Sequence, residues 1–126
     1  MIYKLCSRAD WDACQREGRL PWAPVDREDG FVHLSAAHQV QGTAAKHFRG
    51  RPSVMVLEVD PAQLPEGRLR WEVSRGGERF PHVYGELPRE AVVRAEAAPL
   101  DGDGVPSLPW GLATAERDDA VERPEP

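Results

Sequence analysis

The amino-acid sequence predicts a single α+β domain with two helices, and three observations carry that prediction. Element patterns run strand, helix, loop, strand, helix and then several strands, which fits neither a helical bundle nor a regular alternation of strands and helices. The 126 residues can bury one core and are too few for two. With 40% apolar and 29% charged residues, and Trp11, Trp22, Trp71 and Trp110 as bulky core or groove candidates, the composition is that of a globular chain.

Residues 1–6 (MIYKLC) form a β-branched and aromatic run that reads as a strand. Ser7 is placed to cap a helix, with Asp10 at the capping-box position. That helix should reach about Glu17, bury Trp11 and Cys14, and stop at Gly18, which takes the left-handed conformation without steric cost. Pro21, Pro24 and the charged stretch Asp26-Arg27-Glu28-Asp29 make residues 20–30 a long loop, of the kind that borders binding sites. Residues 31–34 read as a strand. Ser35 then caps a second helix, whose apolar positions Ala37, Val40, Ala44, Ala45 and Phe48 keep helical spacing until Gly50.

Residues 53–59 (SVMVLEV), an apolar run between Pro52 and Asp60-Pro61, are expected as the central strand, covered on both faces. Residues 68–73 alternate, with Leu69, Trp71 and Val73 on one face and Arg68, Arg70 and Glu72 on the other. Gly76-Gly77 marks a turn, and residues 79–84 and 90–97 are strand candidates separated by Gly85 and Pro88. The domain is expected over residues 1–112. From Ala113 the chain has almost nothing to bury, so 113–126 are expected as a disordered tail.

A net charge of −5 disfavours broad binding to nucleic acid, which rests on neutralising phosphates. Cys6 and Cys14 are too few and too far apart for a redox or zinc CxxC pattern, and no secretory or transmembrane run stands in the sequence. Reduced thiols and a cytoplasmic protein without a membrane partner are expected.

The chemistry-bearing residues fall in two segments. Strand alternation puts Phe31, His33 and Ser35 on one side of the first, and Phe80, His82 and Tyr84 on one side of the second. Each row offers an aromatic ring, an imidazole and a hydroxyl, and the two rows can line one polar cleft. Imidazole both donates and accepts near neutral pH, and a neighbouring hydroxyl can fix its tautomer or contact a ligand. The plainer alternative makes His33 and His82 ordinary histidines hydrogen-bonded to backbone. Glu72 is a candidate acid, base or ribose-binding carboxylate, against a solvated ion pair with Arg68 and Arg70 on the same face. His38 and His47 lie nine residues apart on the second helix, unlike an i, i+4 pair, and no HExxH or cysteine cluster completes a metal site, so no metal is expected. The nucleophile elbow, the P-loop and the GxGxxG fingerprint are absent as well.

The N-terminal IYKL with Trp11, DGFVHLS followed by Gln39, RWE at 70–72 and FPHVYGEL together resemble a family of small bacterial proteins of unknown function, loosely described as glutathione S-transferase-related. The resemblance spans roughly residues 1–110. That family is similar to the ADP-ribosyltransferase-like fold, above all to the RNA 2′-phosphotransferases, which implies a compact split β-sheet with the ligand in the cleft between its halves. In those enzymes a strand with an H-V-H-L-S-like stretch contributes to an NAD-type pocket, and His33 matches its second histidine. The resemblance implies a nucleotide-type ligand, with NAD as a cofactor candidate. In those transferases a first-strand histidine holds the adenosine ribose, and Lys4 stands in its place here. A protonated lysine accepts no hydrogen bond but binds phosphate as a point charge. No carboxylate matches the transferase glutamate: Glu86 stands where the family usually has proline, which leaves Glu72 as the candidate.

Two functions follow as expectations. In the first, an ADP-ribosyl- or 2′-phosphotransferase-like enzyme binds NAD, ADP-ribose or a phosphorylated nucleotide. His33, His82 and Glu72 serve catalysis there, while Lys4, Ser35, Tyr84 and Phe31 hold the ligand. In the second, the fold and cleft persist in a non-catalytic domain that binds a small metabolite or a protein. A glutathione transferase is disfavoured, because the chain lacks both the length and a thioredoxin-like βαβ opening.

Overall fold

A computed structural model describes residues 1–117. Nine strands and three α-helices follow one another as β1 (Ile2–Ser7), α1 (Arg8–Glu17), β2 (Arg19–Leu20), α2 (Pro24–Asp29), β3 (Val32–His33), β4 (Ser35–Ala36), α3 (Val40–His47), β5 (Val54–Val59), β6 (Leu69–Val73), β7 (Arg79–Val83), β8 (Leu87–Pro88) and β9 (Val92–Ala98). The predicted α+β class is observed. Pairing is antiparallel throughout, in a four-stranded sheet of order β4-β1-β5-β9, a three-stranded sheet β3-β7-β6 and a two-stranded ribbon β2-β8.

The four-stranded sheet is the middle layer, and alternation along its strands sorts the core into two halves. Ile2 and Cys6 of β1, with Met55, Leu57 and Val59 of β5, face α1 and the three-stranded sheet, where they meet Trp11, Cys14, Val32 and Val83. Tyr3 and Leu5, with Val54 and Val56, face α3 and the chain's return over 108–112, where Val40, Ala44 and Leu112 cover them. β5 is buried along its whole length, as its uninterrupted apolar run predicts. The β5–β9 register slips between Glu58 and Val59, which leaves Val93 as the extra residue of a bulge. No helix among the described residues is long and apolar enough to cross a membrane.

Local signals placed α1 as expected: Ser7 accepts a hydrogen bond from the Asp10 amide, and Gly18 closes the helix at φ 86°. Other expectations need correction. Residues 20–30 are not a plain loop, because Pro24 begins α2, where its missing N–H is one the first turn leaves unbonded anyway, and Gly30 ends it at φ 85°. The helices therefore number three, not two. Residues 31–34 and Ser35 are divided between two sheets, since β3 pairs with β7 while β4 pairs with β1. Ser35 lies in β4 opposite Tyr3 and caps nothing. Helix α3 begins only after Gln39, whose side-chain amide accepts from the Ala36 amide and donates to the Arg79 carbonyl. His38 therefore sits on the turn before α3 rather than on the helix, with Nε2 2.9 Å from Glu78 Oε1. Leu69 and Trp71 pack on the core, whereas Val73, at the end of β6, is exposed. The first two residues of the expected tail belong to a 3-10 turn, Leu112–Thr114, and residues 118–126 lie outside the described part.

Candidate functional site

The three-stranded sheet brings most of the predicted site residues together. In register, His33 of β3 lies opposite His82 of β7, which lies opposite Arg70 of β6, so one row crosses three strands on one face. Phe31 stacks on His82 at 4.1 Å between ring centroids, His33 meets His82 edge-on at 5.5 Å, and Tyr84 lies 5.2 Å from Phe31.

His82 is 4% exposed. Its Nδ1 lies 2.8 Å from Glu72 Oε1, and the Tyr84 hydroxyl donates to the same oxygen at 2.7 Å. The expected ion pair of Glu72 with Arg68 or Arg70 is thus replaced by bonds to the next strand, because Glu72 reaches diagonally across the β6–β7 pair. The bonds from His82 and Tyr84 hold the Glu72 carboxyl below its usual range, and the same contact raises the Tyr84 hydroxyl. Burial lowers His82, against the pull of Glu72. A neutral ring beside an ionised carboxylate carries its proton on Nδ1, which turns the lone pair of Nε2 outward. Nε2 has no hydrogen-bond partner among the described residues, and His82 lines a cavity.

His33 is held differently. Its Nδ1 lies 2.7 Å from Asp26 Oδ1 and its Nε2 2.9 Å from Asp29 Oδ2, so both nitrogens face carboxylates of α2. Asp26 is completely buried and also accepts from the His33 and Ala23 amides and from Lys4 Nζ. Burial raises the Asp26 carboxyl, but the His33 bonds and the Lys4 charge outweigh it and hold it below the usual range. Lys4 Nζ, in turn, donates to Asp26 at 3.2 Å and to the His33 carbonyl at 2.9 Å. Its charge is neutralised inside the protein. Composition marked residues 26–29 only as polar loop, so Asp26 was not foreseen as the centre of this cluster. Nor was Arg70 foreseen as a site residue, although RWE was among the motifs.

A cavity of about 660 Å³ opens beside both histidines, and its wall includes Lys4, Leu5, Ser35, Phe80 and Arg51. Its shape follows from a short strand. β4 pairs with β1 only at Ile2 and Tyr3, so β1 beyond Tyr3 has no strand on that side. The Arg8 amide bonds the Ser53 carbonyl in the register that pairs β1 with β5, so even-numbered residues of β1 bond to β5 and odd-numbered ones point away from it. The N–H and C=O of Leu5, which lines the cavity, therefore have no strand partner among the described residues. Buried backbone groups are seldom left in that condition. Ser35 Oγ, on the same wall, lies 3.0 Å from Thr43 Oγ1. Cys6 also borders the cavity, but burial pushes its thiol up to about 12, which makes it a poor nucleophile. Among the described residues no group of three or more His, Cys, Asp or Glu side chains is arranged to hold a metal ion.

The chain is similar to protein CC0527 from Caulobacter crescentus. The X-ray structure of that protein shares 51% identity, covers 89% of this chain and 97% of its own, and superposes with a TM-score of 0.83. The solution NMR structure, also 51% identical, covers 83% and 90% with a TM-score of 0.72. No curated protein matches. The family described as "Protein of unknown function (DUF952)" matches residues 5–95, a span that holds every residue of the site except Lys4.

Proposed function

This chain belongs to the DUF952 family of proteins of unknown function, and we propose that it binds a phosphorylated nucleotide-type small molecule and transfers a group with His82 as the base. The observation that carries the reading is the N–H and C=O of Leu5, without a strand partner among the described residues, on the open edge of β1 in the wall of a cavity that His82 also lines. An adjacent donor and acceptor fixed on a strand match the edge of a nucleobase or a carboxamide, and rigid backbone groups hold such an edge without loss of side-chain entropy. His82, neutral and fixed by Glu72, offers Nε2 as a base toward an acceptor hydroxyl or water. The motif likeness to ADP-ribosyltransferases and RNA 2′-phosphotransferases supports the same choice of ligand and a transferase reaction.

NAD held through Lys4, in the place of the first-strand histidine, does not fit. Lys4 is 5% exposed, and its ammonium is bonded to Asp26 and the His33 carbonyl and offers no acceptor to a ribose. NAD therefore enters only as one candidate ligand among several. A second reading, a binding domain without turnover, is favoured by His33, whose two nitrogens are both held within the protein.

The test is a melting-temperature panel with NAD, ADP-ribose, adenosine monophosphates and 2′-phosphorylated nucleotides. A ligand present at a hundred times its Kd adds about 2.7 kcal/mol to stability. With a stabilising ligand, the Leu5 amide signal should shift, and His82→Gln should keep binding while abolishing turnover. If no nucleotide stabilises the protein at millimolar concentration, the proposal fails. If binding occurs without turnover in the unaltered chain, the second reading replaces it.

A further inference from the structure

We infer that Arg70, with Arg68 beside it, is the anion-binding element of this site, and that the ligand lays a phosphoryl group against it. The inference rests on the small-molecule reading above and assigns the phosphate to a residue other than Lys4, whose charge is already matched by Asp26. Arg70 ends the row His33, His82, Arg70 across the three-stranded sheet, directly opposite His82. Its guanidinium lies over the Tyr84 ring, 5.3 Å from the centroid, and the hydroxyl of that ring is fixed by Glu72. The cation is thus held in place by an aromatic face, which leaves its planar edge of N–H donors for an outside acceptor.

Arg68 approaches from two residues earlier on the same face. It donates to the Tyr84 carbonyl at 3.3 Å, and its stem runs beside Gly85, where a Cβ would meet Arg68 Cδ at 3.7 Å. Neither arginine has a carboxylate at ion-pair distance among the described residues, whereas Arg8, Arg19, Arg94 and Arg117 each do. Glu72 is the opposing charge on the same face of β6, and it is engaged by His82 and Tyr84. Two guanidinium groups on one tyrosine, beside a buried histidine, suit a doubly charged, multi-oxygen acceptor better than a single carboxylate.

The experiment is an NMR titration of the labelled full-length chain with inorganic pyrophosphate at low salt, following the arginine Nε–Hε and backbone amide signals. The Arg70 side chain and the Tyr84 amide should shift saturably. Arg70→Gln, at an exposed position that should leave the melting temperature unchanged, should weaken binding about tenfold. Arg70→Lys, which keeps the charge and loses the planar fork, should weaken it nearly as much, and Arg16→Gln at an exposed position of α1 should leave it unaltered. Shifts centred on Arg51 and Lys46, no saturation, or an Arg70→Gln affinity equal to that of the parent would overturn the assignment. The two proposals fail separately. Nucleotides that stabilise the protein with Arg70 uninvolved remove the anion site alone. Pyrophosphate bound at Arg70 with no nucleotide effect removes the nucleotide reading and leaves this one standing.

Discussion

Two carboxylate and imidazole clusters lie on neighbouring strands, and they differ in what they leave open. Around His33, Asp26 and Asp29 take both ring nitrogens, and Asp26 also takes Lys4 and two backbone amides, so every polar group finds its partner inside the protein. Around His82, Glu72 takes one nitrogen and the Tyr84 hydroxyl, and the second nitrogen ends at the cavity. The first arrangement ties α2 to β1 and β3. The second, in the proposed reading, holds a base in one tautomer beside a space for a ligand. Burial alone does not separate the two clusters, since Asp26 is the most buried of all; a ring nitrogen without a partner among the described residues does.

That contrast can be broken from either side. The largest effect should come from Asp26→Ala, which leaves the Lys4 ammonium buried without its counter-charge and releases α2. A loss of about 3–5 kcal/mol is expected, read by urea unfolding. A loss below about 1 kcal/mol would show that the cluster does not hold the fold together. Glu72→Gln should cost only about 1 kcal/mol. It should, however, move the His82 titration still lower, because Glu72 raises the pKa of that ring against the effect of burial. A His82 signal that titrates unchanged in this variant would break the link between the two residues.

Acid should separate the clusters without mutation. His82 is held below its ordinary 6.5, so the unfolded chain takes up that proton first, and stability should begin to fall as pH drops below about 6.5. Glu72 and Asp26 are held below 4.5 and 3.8, and stability present above those values should be lost as pH falls through their folded values. Melting temperatures recorded from pH 8 to pH 3 should therefore decline in two stages, and His82→Gln should erase the upper one. The smallest effect belongs to Asp29→Asn, which loosens only the solvent side of His33; under about 0.5 kcal/mol is expected.

How much of this was legible in the sequence depended on how far apart the partners lie. The Ser7 cap with Asp10 and the Gly18 stop are contained within one helix, and they were readable. The alternation that gathers Phe31, His33, His82 and Tyr84 was readable too, because it needs only the period of a strand. Helix α2 was hidden because four of its six residues are charged and it carries no apolar period. Ser35 was misread as a cap because its pairing with Tyr3, across 32 positions, overrides a local preference for capping. Asp26 and Lys4 are 22 residues apart, and no local pattern announces that a charged stretch will fold inward to meet a strand. The Glu72 partner was missed for the same reason: two arginines on the same strand were visible, and the histidine across the hairpin was not.

The bulge in β9 has a consequence for the protein in company. This strand forms the free edge of the four-stranded sheet, where a straight run of seven residues would offer its hydrogen-bonding row to any passing chain. Val93 is displaced from the register, and the charged Arg94 and Glu96 follow, so the row is interrupted near its start and charged along its middle. Among the described residues this edge is thus a poor template for sheet-to-sheet aggregation, because one residue out of step breaks the row a neighbour would pair with.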